Sequence, residues 1–159
     1  MVLIHRREVI PTALAALVLA WWLFYPTERD RLDAEAKRLC AIDGGVKVYE
    51  TVTLPPEKFN QYGQPLIPIG QDSKGFGYFY RGDERHMKGP IDPSNGPNLT
   101  QHIFQIVRSA DGKIMGQLTW YGRSGGCFLY GVVQGCGFQC PDEDGWQLAN
   151  KVFSKGEIK

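Results

Sequence analysis

The sequence has almost no excess charge of either sign, with 18 Lys and Arg against 17 Asp and Glu for a net +1, and it has no block of like charges. Neutralising several phosphates needs clustered Lys and Arg, so this balance argues against a nucleic-acid partner. No segment recurs at a period of 20–50 residues and no low-complexity tract occurs, which excludes solenoids, propellers and long coiled coils. Histidine is scarce. His5, His86 and His102 are the only three, none stands in an H-x-x-x-H or H-E-x-x-H arrangement, and no phosphate-binding loop is present. No metal or cofactor is therefore expected. At 159 residues the chain is too short for a two-domain dehydrogenase, a (β/α)₈ barrel or a multi-pass transporter.

What the chain does contain begins with an uncharged apolar run, Val9 to Tyr25, of 17 residues. That is the lower edge of what spans the hydrocarbon core of a bilayer. Pro11 sits where a first helical turn tolerates it. Trp21, Trp22 and Tyr25 sit where an interfacial aromatic belt belongs. The reading is a transmembrane helix over 9–25, preceded by a short cytoplasmic tail, 1–8, and followed by one domain, 26–159. A cleaved signal peptide is the competing reading, since Arg6 and Arg7 precede the apolar stretch, but a cut after Ala20 would fall directly before two tryptophans. Lys and Arg counts alone favour a cytoplasmic C-terminal side, because Arg29, Arg31, Lys37 and Arg38 outnumber Arg6 and Arg7. Cysteine usage points the other way.

Beyond the apolar run, Thr27-x-x-Asp30 reads as a capping box. Leu32, Ala36, Leu39 and Cys40 then recur at helical spacing up to Asp43-Gly44-Gly45, where a left-handed glycine should close the helix. Val46, Val48, Val52 and Leu54 alternate with polar residues as one strand that Pro55-Pro56 stops, with a short helical turn expected around Glu57–Gln61. Phe76 to Met87 reads as a strand aromatic on both faces, with Gly82 marking a bulge or its end. Leu99–Arg108 and Lys113–Arg123 form the clearest pair, joined through Asp111-Gly112 as a hairpin. Cys127–Val133 suggests an edge strand. Asp142, Glu143 and Asp144 open a last helix whose apolar side is Trp146, Ala149, Val152 and Phe153. The fold class expected is α+β: an N-terminal transmembrane helix, then an antiparallel sheet of four or five strands with two helices against one face.

The run Leu39-Cys40-Ala41-Ile42-Asp43-Gly44-Gly45-Val46-Lys47-Val48-Tyr49-Glu50-Thr51-Val52, with Leu54-Pro55, Phe59 and the later Phe138-Gln139-Cys140-Pro141, resembles a group of small single-pass proteins of Gram-negative bacteria with no established activity. The likeness covers about 25 residues. It implies a bacterial, envelope-associated protein and nothing of mechanism.

The four cysteines, Cys40, Cys127, Cys136 and Cys140, leave gaps of 86, 8 and 3 residues, not the paired C-x-x-C spacing that zinc favours. An even set in an extracytoplasmic candidate suggests two disulfides, with three pairings open. Cys40–Cys140 with Cys127–Cys136 ranks first. Cys136–Cys140 with Cys40–Cys127 ranks second, because it needs a tight bend through Gly137. On this ground the domain is placed in the periplasm, tethered to the inner membrane. Tyr78, Tyr80, Arg81 and Arg85 form a candidate partner surface, an aromatic and cationic mixture suited to recognition, although such aromatics more often fill a core. Arg81-Gly82-Asp83 and the sequon Asn98-Leu99-Thr100 carry no weight on their own. With no nucleophile and base paired in sequence, no catalytic residue is assigned. The expected function is a tethered binding or accessory domain for a protein partner, such as an immunity or inhibitor protein. A cell-envelope hydrolase is the alternative.

Overall fold

The computed structural model describes residues 14–19, 21, 26–71, 75–126 and 137–156. Of the segment Val9–Tyr25, residues 14–19 and 21 are described and are helical, with Leu14, Leu17, Val18, Leu19 and Trp21 exposed. Among the described residues, no helix is long and apolar enough to cross a membrane. The rest of the expected span, the edge strand at Cys127–Val133, and both Cys127 and Cys136 lie outside the described residues.

The fold is α+β. Helix α1 (Glu28–Asp43) begins at a complete capping box, Thr27 and Asp30 each satisfying the other's backbone N–H. Strands β1 (Gly45–Val48) and β2 (Val52–Leu54) follow, then β3 (Tyr78–Lys88), β4 (Asn98–Arg108), β5 (Ile114–Ser124) and β6 (Phe138–Cys140). Helix α2 (Gly145–Val152) and strand β7 (Phe153–Lys155) close the described chain. The main sheet runs β1-β5-β4-β3, all antiparallel, and β6 pairs with β5 beyond the end of β1 on the same edge. The β4–β5 hairpin turns at Gly112, whose φ of +70° is the left-handed conformation the Asp-Gly pair signals.

Several expectations are corrected. Gly44 is extended, with φ −66°, and the left-handed residue is Gly45, with φ +95°. Gly44 is needed for closeness instead, since a Cβ there would stand 2.9 Å from Cys40 Sγ and 2.6 Å from the Cys40 carbonyl oxygen. The run from Val46 to Leu54 is two strands in two sheets. A bulge in β5 adds Met115 between the pairs Gly116–Ile106 and Ile114–Val107, and the Met115 carbonyl accepts from both Tyr49 and Glu50 N–H, at 2.9 and 3.0 Å. That contact takes the chain off β5, so that β2 pairs in parallel with β7. Gly82 is neither bulge nor end: it pairs regularly with Phe104, and the irregularity of β3 lies between His86 and Lys88. The short helical turn falls at Pro56–Lys58.

The helices lie on opposite faces of the sheet, not on one. Side chains alternate along a strand, so the register sorts Gly116, Leu118, Trp120, Phe104, Ile106 and Tyr80 to one face, and Tyr121, Arg123, Leu99 and Gln101 to the other. On the first face α2 buries Leu148 and Val152 against Leu118, Ile106 and Met115. Its approach depends on Gly116, where a Cβ would meet Val152 Cγ2 at 2.7 Å. On the second face α1 buries Leu32 and Ala36 against Leu99 and Tyr121. There Arg123, only 1% exposed, pairs with Asp33 and donates to the Gly125 carbonyl at 2.7 Å. The Tyr121 hydroxyl donates to Asp43 at 2.7 Å, and its pKa is pushed up to about 12, first by burial and then by that carboxylate.

Candidate partner-binding surface

Cys40, in the last turn of α1, is joined to Cys140, the last residue of β6, with Cα atoms 6.0 Å apart and a sequence separation of 100. The bond fixes α1 across the sheet at the edge of β5. Lys37 reinforces it, with its ammonium 5.4 Å from the Phe138 ring centre.

The four residues expected to share a partner surface are separated by the pleat. Tyr80 is buried, stacks on Phe104 at 4.7 Å between ring centres and donates to the Gly145 carbonyl at 3.2 Å. Burial, and then the Asp144 charge, hold its pKa above the ordinary tyrosine value. Tyr78 packs edge-on against Phe153 within the same core. Arg81 and Arg85 project from the opposite face. Arg81 donates to the Gln105 carboxamide at 2.7 and 3.1 Å, the start of a polar ladder through Gln117 to Thr119. The mixture of aromatics and cations in the sequence is therefore not one surface, because adjacent strand residues point to opposite faces.

The aromatic surface lies where α2 leaves its face of the sheet open. Trp146, expected on the apolar side of α2, is 45% exposed, because Leu148, Ala149 and Val152 occupy the buried stripe. It forms a wall shared by two hollows. One, of about 520 Å³, lies between α2 and the loop bearing Leu66, Ile67 and Phe76. The other, of about 400 Å³, is bounded by Ile69, Tyr80, Phe104 and Asp144. A third hollow, of about 300 Å³, continues past Phe104 to Glu84, His102 and Trp120. Ile69 at 80% and Leu66 at 55% exposure make the lip apolar. The result is a cleft with an aromatic floor and acidic groups, Asp144 and Glu84, along its course.

At its far end the register aligns Glu84, His102 and Trp120 as one row across β3, β4 and β5. The imidazole lies flat on the indole, with ring centres 3.6 Å apart and planes 8° from parallel. Glu84 Oε2 stands 3.7 Å from His102 Nδ1, too long for a hydrogen bond. Burial lowers the His102 pKa, and the Glu84 charge opposes that shift. The sequence places His102 in a strand. Its partners come from strands separated in the chain, so only the register reveals the row. Among the described residues, no group of three or more His, Cys, Asp or Glu is placed to hold a metal ion.

No protein-family model matches the chain, and no curated protein and no solved structure matches it either.

Proposed function

We propose that this protein is a tethered extracytoplasmic binding domain. Its apolar N-terminal segment anchors it in the bacterial inner membrane, and residues 26–159 stand in the periplasm as an accessory, immunity or inhibitor module for a protein partner. The observation that carries the placement is the disulfide between Cys40 and Cys140, a bond that persists in oxidising compartments. The apolar run at Val9–Tyr25 supports the tether, and the resemblance of the Leu39–Val52 run to single-pass envelope proteins agrees with both. The aromatic cleft at Trp146 and Phe104 supports binding, since interface anchors favour such half-exposed aromatics with an apolar lip and a polar border.

Orientation is tested with C-terminal alkaline phosphatase and fluorescent-protein fusions. The proposal expects phosphatase activity with a membrane-bound product, and fluorescence without phosphatase activity contradicts it. Binding is tested by placing a photocrosslinking residue at Ile69 or Arg85. A discrete stoichiometric adduct with a different protein from Ile69, abolished by Trp146→Glu and not formed from Arg85 on the other face, is the expected result.

A second reading, a cell-envelope hydrolase, draws on the placing of Glu84 beside His102 at the edge of the third hollow. A general base needs this kind of partner. It predicts turnover of cell-wall material that His102→Gln abolishes.

A further inference from the structure

We propose that two copies of this chain associate edge to edge through β3, in one antiparallel register centred on Glu84. Among the described residues, the outer edge of β3 is occupied only at its start, where Tyr80 N–H donates to the Pro68 carbonyl and Gly70 N–H donates to the Tyr80 carbonyl, each at 2.8 Å. Because backbone groups alternate in direction, the same outward edge continues at Gly82, Glu84 and His86. Among the described residues no strand pairs with it there. Residues Arg81 to His86 are all exposed.

A second copy would add its own β3 across a two-fold axis normal to the sheet, pairing residues with outward backbone groups. The charges then choose among the registers. Setting Gly82 opposite Glu84 of the second copy places Arg81 against Arg85 and Asp83 against Asp83. Setting Glu84 opposite His86 places Arg85 against Arg85. Setting Tyr80 opposite Glu84 needs the edge already held by Pro68–Gly70. Centring on Glu84 places Asp83 against Arg85 of the second copy twice by symmetry, and sets each His86 against a glycine, Gly82. Within its own chain Arg85 has no ion-pair partner among the described residues, and Asp83 accepts only from the neighbouring Glu84 N–H, at 3.1 Å. The irregularity between His86 and Lys88 bends the strand where it would otherwise meet the second copy's Pro68–Gly70. The one like-charged contact is Glu84 against Glu84, with His102 beside each.

The test is sedimentation of the full chain in detergent across a concentration series. The wild type should show a concentration-dependent dimer. Arg85→Asp, which turns both attractive pairs repulsive, should weaken it by roughly tenfold or more. Adding Asp83→Arg should restore it, and Glu84→Gln should tighten it. Wild-type and Glu84→Gln proteins that both stay monomeric up to the highest concentration overturn the proposal. So does a dimer that Arg85→Asp leaves unchanged, since that dimer would form elsewhere, for example through the apolar N-terminal segment.

Discussion

His102 is a residue whose proton affinity its surroundings alter. Flat against Trp120 and part-buried, its imidazole is held below the ordinary value of 6.5. The unfolded chain therefore takes up the proton more readily than the folded one, and this residue makes stability fall as pH drops from about 6.5 through the folded-state value. Below that window its contribution is constant. Protonation also quenches the stacked indole, so the fluorescence difference between wild type and Trp120→Phe should titrate with a midpoint below 6.5. A midpoint at or above that value would contradict the burial argument. The pair of Arg123 and Asp33 makes a second claim at this scale. With Arg123 only 1% exposed, Asp33→Ala removes a carboxylate paired with a buried cation and should cost about 3 kcal/mol in denaturant unfolding. A loss below about 1 kcal/mol would mean that water reaches the guanidinium.

Elements whose signals are local were legible in the sequence. The capping box at Thr27 and Asp30 and the Asp-Gly turn at Gly112 specify their own backbone, so α1 and the β4–β5 hairpin stand where the pattern puts them. Elements defined by a distant partner were not. The Val46–Leu54 alternation has the right period for one strand, but the bulged Met115 carbonyl divides it. The three-residue strands β6 and β7 are too short to carry any period. The face each helix takes follows from the parity of its contacts on β5, which a helix's own sequence does not encode. The same limit hid the row of Glu84, His102 and Trp120, and it broke up the expected surface of Tyr78, Tyr80, Arg81 and Arg85. Gly116 tests how α2 seats. Gly116→Ala would put a methyl group 2.7 Å from Val152 Cγ2 and 3.0 Å from Leu148 Cδ1, and should destabilise by about 1–3 kcal/mol. Val152→Ala in the same chain should recover part of that loss. Two losses that simply add would show that the helix does not contact Gly116.

For the whole molecule, the link from Cys40 to Cys140 joins the helix on one face to the edge strand that leads into the helix on the other. Its loop of 100 residues restricts the unfolded chain enough to contribute roughly 4–5 kcal/mol. Two small cores on opposite sides of one sheet are thereby held to a common frame. The proposed placement of the domain outside the cytoplasm rests on this bond, and it is tested most directly by peptide mapping by mass spectrometry of the full chain, expressed with its N-terminal segment in a Gram-negative host and alkylated before any reduction. A linked peptide pair containing Cys40 and Cys140 is the predicted result. Recovery of both as alkylated thiols, or of Cys40 joined to Cys127, would contradict it.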